Sequence, residues 1–168
     1  ESFEYFIKSF KNIEVFDTPS YFKDIHKYHQ IIHETDLANN FGMYYKKYKT
    51  KLSKYMQTAI AKGNKHSAKE YAEAIDFKKR SYESYQEVFE DYHGVLTPSS
   101  PGVALKGLKN TGTAEFNKVW SYLGTPCISL PLLEGENNFP LGIQLIGDRY
   151  DDHRFLGVAN WLEKECNN

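Results

Sequence analysis

Hydrophobic positions recur at helical steps through the first half of the chain and gather into short proline-bounded runs through the second. Phe3, Phe6, Ile7 and Phe10 have a helical spacing, and Ile13-Glu14-Val15-Phe16 alternates as a short strand does. Thr18-Pro19 offers a helix start with proline at the first position, and Phe22, Ile25, His29, Ile32 and His33 carry the pattern on towards Gly42. From Tyr44 a second helical region places Tyr45, Tyr48, Leu52, Tyr55, Met56, Ala59 and Ile60 on one stripe until Gly63-Asn64, with a break expected near Lys51. Ser67-Ala68-Lys69-Glu70 is a capping box, in which the serine oxygen accepts the N3 amide while the glutamate reaches back to the cap amide. It predicts one continuous helix over 66–93, with Tyr71, Ile75, Lys78, Tyr82, Tyr85, Phe89 and Tyr92 on a shared face, Lys78 through its alkyl stem.

After Gly94 the period changes. Val95-Leu96-Thr97, the run over 127–132 and the run over 140–147 predict strands, the last two in one sheet, and 113–123 and 152–165 predict helices. The loops fall at Ser99–Gly112 and Glu134–Asn138. The fold class is therefore α/β: a helix-rich N-terminal part, 1–93, followed over 94–168 by strands of a mixed sheet flanked by helices. With 40% hydrophobic residues over 168 positions the chain can bury a core, and it reads as a single partial domain over 1–168.

Several motifs follow one another in a fixed order: Thr97-Pro98-Ser99-Ser100-Pro101, the Trp120 helix, Gly124-Thr125-Pro126-Cys127-Ile128-Ser129-Leu130-Pro131, Pro140-Leu141-Gly142-Ile143-Gln144-Leu145-Ile146-Gly147, and the closing Asp151-Asp152 helix. In this order they resemble the C-terminal portion of an amidase-signature hydrolase, most strongly over 66–165. The resemblance implies a serine acyl-enzyme route to amide hydrolysis by a Ser-Ser-Lys triad, without metal or organic cofactor. It places that triad N-terminal to everything present here, so no catalytic residue is assigned within this chain, which is expected to be inactive alone. It also implies that the loop and helix before the Pro126 strand touch the substrate, which maps onto Thr111, Ala114, Asn117 and Lys118. The tRNA-dependent amidotransferase subunits of the family are expected to carry an aspartate near Ala114 and an arginine where Lys78 lies. Their absence favours a neutral or apolar acyl substrate. The alternatives are a non-catalytic scaffold module and an A-type amidotransferase subunit.

The remaining constellations read as structure. Ser99-Ser100 is flanked by prolines rather than the glycines that would build an oxyanion hole. His26, His29 and His33 share a helical face without a cysteine nearby, and no metal site is assigned. Asp148, Asp151, Asp152 and His153 suit a helix start, where carboxylates cap free amides. Gln144, a polar amide among aliphatics, requires a hydrogen-bonding partner. Cys127 reads as a small core residue.

Charge is uneven: residues 43–80 hold 11 basic and 3 acidic side chains, against 4 and 7 over 1–42 and 6 and 12 over 81–168. Lys46, Lys47, Lys49, Lys51, Lys54, Lys62 and Lys65 interleave with Tyr44, Tyr45, Tyr48 and Tyr55, a composition suited to phosphates and bases. The tyrosines, however, fall on the stripe expected to be buried, which argues against nucleic acid. Neither a leader nor a membrane-spanning run is present, so a cytoplasmic location is expected. The expected partner is the remaining amidase segment or a second copy, packed against the strands at 127–132 and 140–147, because those strands are apolar on both sides. A small amide substrate is expected only in the complete enzyme.

Overall fold

The computed structural model describes residues 2–108 and 110–167, so the part of the 99–112 loop at Lys109 lies outside the described residues. Residues 1–19 together with 84–168 form one compact unit, and residues 20–83 form a second.

The second unit is helical. Helix α2 (Phe22–Tyr48) starts four residues later than Thr18 and runs through Gly42 instead of ending there. An added side chain at Gly42 would meet nothing within 4 Å. The glycine therefore costs about 1 kcal/mol of helix propensity and breaks no packing. The helix gives way to a 3₁₀ turn at Lys49–Lys51, where the break was expected, and Ser53 Oγ then caps α3 (Lys54–Gly63) by accepting the Met56 amide at 3.2 Å.

Helices α2 and α3 cross with backbones nearly touching. A Cβ built on Gly63 would stand 1.9 Å from the Glu34 carbonyl oxygen, so only glycine fits. Beside this crossing the Glu34 side chain is buried. Its carboxylate accepts from Gln30 Nε2 at 2.8 Å, lies 2.7 Å from His66 Nε2, and pairs with Lys62 Nζ at 3.6 Å. Burial pushes the Glu34 carboxyl up, but the hydrogen bonds from Gln30 and His66 and the charges of Lys62 and His66 outweigh it and hold it below its ordinary value.

Helix α4 (Ala68–Gln86) opens on the expected capping box: Glu70 N donates to Ser67 Oγ at 3.1 Å, and Ser67 N to Glu70 Oε2 at 2.8 Å. Tyr71 Oη donates to Asp36 at 3.0 Å, and the Tyr28 and Phe77 rings meet at 4.4 Å, which seats α4 on α2. The helix expected over 66–93 is unbroken through Ile75–Tyr82 but is interrupted at Glu87, leaving a separate helical turn α5 (Val88–Asp91). Tyr85 and Phe89, edge to face at 5.6 Å, carry the stripe across the interruption.

In the first unit β1 (Val95–Pro98), β2 (Cys127–Glu134) and β3 (Pro140–Ile146) form one sheet in the order β1-β3-β2, with both pairings antiparallel. The mixed sheet expected from the sequence is thus antiparallel among the described residues. Pro131 has no amide to donate, and the β2/β3 register shifts there, between Leu130 and Leu133. The hairpin closes through Gly135 N to Phe139 O at 2.9 Å, with Asn137 and Asn138 left-handed at φ 57 and 58.

One face of this sheet carries Leu96, Ile128, Leu130, Ile143 and Leu145. Helix α1 (Ser2–Lys8) covers it with Phe6 and Ile7, and α7 (Asp152–Asn167) with Phe155, Ala159 and Leu162. Asp151 caps α7 by accepting the Arg154 amide at 3.3 Å and binds that residue's Nε at 2.8 Å, as the acidic cluster predicted. Helix α6 (Glu115–Leu123) ends on left-handed Gly124 (φ 72), whose amide donates to Trp120 O at 2.8 Å.

Four expectations are corrected. Ile13–Phe16 forms no strand, and Val15 is 80% exposed, because alternation without a paired neighbour does not hold a strand. Tyr44, Tyr48 and Tyr55 are exposed rather than buried. Cys127 is exposed as well, since it lies on the edge strand β2, which has a neighbour on one side only. Ile143–Ile146, expected to be covered by a partner because the strand is apolar on both sides, is covered within this chain: β3 is the central strand, and Ile143, Gln144, Leu145 and Ile146 are all buried. Among the described residues the open edges are those of β1 and β2.

Two outcomes follow from the α2/α3 crossing. Gly63→Ala forces the helices apart and lowers stability by about 1–3 kcal/mol or more, read as a drop in the urea midpoint of the whole chain. A carboxyl held low in the folded state contributes stability above its unfolded value that disappears as pH falls. The urea midpoint therefore declines below pH about 4.5, and Glu34→Gln flattens that part of the profile.

Candidate functional site

The second face of the sheet differs in kind from the one under α1 and α7. Side chains alternate along a strand, so Thr97 and Ser99, Gly142 and Gln144, and Ser129 project together. The pairing of β1 continues one residue past the strand, with Ser99 N donating to Gly142 O at 2.9 Å. The Ser99 and Ser129 hydroxyls then share a hydrogen bond at 2.7 Å across Gly142. A Cβ on Gly142 would stand 2.6 Å from Ser129 Oγ and 2.8 Å from Ser99 Oγ, so the hydroxyl pair depends on that glycine.

Gln144, 4% exposed, organises this face. Its Nε2 lies 2.9 Å from Thr97 Oγ1, 2.9 Å from Phe116 O and 3.3 Å from Pro98 O, so one amide ties β3 to β1 and both to the first turn of α6. The partner expected for this buried amide is therefore threefold. The Phe116 carbonyl uses a second lone pair for this bond, which fixes where α6 begins relative to the sheet.

That first turn carries the expected substrate residues. Ala114 is the N-cap of α6, and its carbonyl accepts from Asn117 N at 3.0 Å and Lys118 N at 3.1 Å. Ala114, Asn117 and Lys118 thus share one turn, with Ala114 and Asn117 exposed and Lys118 half-buried. Thr111 lies just before, exposed in a loop whose turns use left-handed Gly107 and Gly112 (φ 102 and 86). The Gly112 amide donates to Asn110 Oδ1 at 3.0 Å. Thr111, Ala114, Asn117 and Lys118 thus offer a hydroxyl, a methyl, a carboxamide and an ammonium group.

The serines of the proline-flanked pair are engaged elsewhere. Ser99 Oγ is bonded to Ser129, and Ser100 Oγ donates to Gly102 O at 2.6 Å. His29 and His33 stack at 5.8 Å, and His33 Nε2 lies 3.0 Å from Tyr55 Oη. Among the described residues no group of three or more His, Cys, Asp or Glu is arranged to hold a metal ion.

Sequence reasoning missed two features of this unit. Ser129, read only as part of a strand motif, is the partner of Ser99; the alternation that pairs residues 97, 129 and 144 was the available signal. A cavity of about 790 Å³ also opens beside Ile13, Gly94, Leu96, Leu145 and Trp161, on the α7 side of the sheet, and none of the four expected substrate residues lines it.

The family model described as Amidase matches residues 1–156. The A-type subunit of the glutamyl-tRNA(Gln) amidotransferase of Alkaliphilus metalliredigens (strain QYMF) is 34% identical over 102 residues, covering 56% of this chain and 21% of that protein. The corresponding subunit numbered 2 from Clostridium acetobutylicum is 31% identical over 102 residues, with the same coverage of 56% and 21%. The chain thus spans about a fifth of the length of these curated relatives. A solved structure described as an amidase superposes with TM-score 0.83 at 18% identity, covering 97% of this chain and 41% of its own. A 6-aminohexanoate cyclic dimer hydrolase complexed with substrate gives TM-score 0.64 at 16% identity, covering 84% of this chain and 34% of its own.

Replacing Gln144 with Leu keeps the volume but leaves the Phe116 carbonyl and the Thr97 hydroxyl without their donor. The expected loss is about 1–3 kcal/mol in urea unfolding. Greater protease sensitivity confined to the 99–118 segment would accompany it, read by mass spectrometry of the first cleavage products.

Proposed function

This chain belongs to the amidase signature family, and we propose that it is the C-terminal part of an amidase whose Ser-Ser-Lys triad stands on a segment outside it. The observation that carries the reading is the family match over 1–156, joined to a fold that overlays 97% of this chain on 41% of a solved amidase. In the complete enzyme a serine oxygen attacks the amide carbonyl, the amine leaves with a proton, and water releases the carboxylic acid from the acyl-enzyme. This chain contributes no bond-making atom to that sequence. Its part is to hold the acyl group against Thr111, Ala114, Asn117 and Lys118 at the start of α6, with Gln144 fixing that turn on the sheet.

The small uncharged Ala114 suits a neutral acyl group. A second reading, part of an A-type amidotransferase subunit, is favoured by the curated relatives, which are named as subunits of that type in glutamyl-tRNA(Gln) amidotransferases. The remaining polypeptide would pack along the open edges of β1 and β2, where backbone donors and acceptors await pairing. The cavity beside Ile13, Gly94 and Leu96 adjoins the first of these edges and would take part of the same segment. No described helix is long and apolar enough to cross a membrane, and a cytoplasmic setting completes the proposal.

The isolated chain is expected to hydrolyse neither anilides nor esters and to resist labelling by a fluorophosphonate probe. Addition of a polypeptide carrying the Gly/Ser-rich segment of the same gene should restore both, with Asn117→Ala and Lys118→Ala then raising KM. Labelling of Ser99 or Ser100 in the isolated chain, or a gene with no such segment, would refute the reading and leave a non-catalytic scaffold. A preference of the restored enzyme for glutamine over simple amides would select the amidotransferase reading.

A further inference from the structure

The end of α2 is unlike any other surface of the helical unit. Phe41, Tyr44, Tyr45 and Tyr48 recur at i, i+3, i+4 and i+7, the spacing of a buried stripe. Yet Tyr44 is 51% and Tyr48 39% exposed, and Phe41, 6.3 Å from the Tyr44 ring, is 40% exposed. Lysines are laid over these rings: Lys49 Nζ is 5.0 Å from the Tyr45 centroid, and Lys47 and Lys51 stand 5.2 and 5.5 Å from that of Tyr48. Residues 37–69 hold eight lysines and no aspartate or glutamate. The flanking carboxylates are already engaged: Glu34 with His66 and Gln30, Asp36 with Tyr71, and Glu70 with Ser67.

An aromatic stripe of this size is normally covered, so its occupant must suit both the rings and the charge. A second copy of the chain would bring the same lysines face to face, which the absence of local carboxylates makes unfavourable. An interfacial helix segregates its lysines from its apolar face, whereas here the ammonium groups lie across the rings themselves. Flat π-faces alternating with cations fit an unpaired polynucleotide, in which bases stack on rings while lysines meet phosphates.

We propose that the α2 end, from Phe41 to Lys51, is a binding site for single-stranded nucleic acid. Tyr44 and Tyr48 form the stacking platform, and Lys46, Lys47, Lys49 and Lys51 pair with the phosphates. The site is independent of the amidase reading, since it uses none of the residues at the start of α6.

Fluorescence anisotropy of the full chain with a labelled oligothymidylate of about 20 nucleotides tests it. Binding should be micromolar, tighter than to a duplex of equal length, and weaken with salt along a log–log slope of roughly −2 to −3, as three or four displaced phosphate counterions require. Tyr44→Ala and Tyr48→Ala should each weaken it by roughly fivefold or more, while Tyr44→Phe and Tyr48→Phe restore it to within about twofold. An unchanged far-UV spectrum shows that each variant is folded. Lack of binding, duplex binding at least as tight, or insensitivity to both alanine variants would overturn the proposal. So would capture by phosphatidylserine vesicles without oligonucleotide binding, which would assign the surface to a membrane.

Discussion

The carboxamide of Gln144 is the interaction on which the candidate site depends. It lies buried on the central strand, and its donor group is surrounded by acceptors from a neighbouring strand and from the first turn of α6. Without it a loop rich in glycine and proline would join β1 to α6 with little to set its end point. With it, the turn bearing Ala114, Asn117 and Lys118 is referred to the most buried strand of the sheet. A hydrogen bond is worth little net in isolation, but an unsatisfied buried carboxamide is costly, so the geometry is enforced mainly by the penalty for leaving the Gln144 amide unpaired.

Glycines extend the same logic to positions where backbones and side chains must come close. Gly142 admits the Ser99 and Ser129 hydroxyls, Gly147 lies under the Phe155 ring of α7, and Gly63 allows α3 to lie on the Glu34 carbonyl. In each case the missing side chain permits a contact that any other residue would block, and the contact then locates a second element. Gly42 shows the contrast: it is surrounded by open space, locates nothing, and leaves its helix running.

What could be read from the sequence divides along the range of the interaction involved. The Ser67 capping box and the Asp151 cap are local, complete within a few residues, and each stands where the pattern put it. The strands of the hairpin were legible because prolines and asparagines bound them. The failures concern non-local facts. Alternation in Ile13–Phe16 specifies a side-chain pattern but not a strand to pair with. The period of Phe41, Tyr44, Tyr45 and Tyr48 specifies a stripe but not whether anything covers it. Alternation was the signal that could bring Ser129 to Ser99, but it does so only once the antiparallel register through Gly142 and Gln144 is known.

The hydroxyl face shows what the serines of this sheet are bonded to. A nucleophilic serine needs its proton directed to a base and its oxygen left free to attack. Ser99 and Ser129 instead bind each other, and Ser100 spends its proton on a backbone carbonyl. These hydroxyls serve the fold: the Ser99–Ser129 pair ties the end of β1 to β2 across β3, and Ser100 closes its own turn.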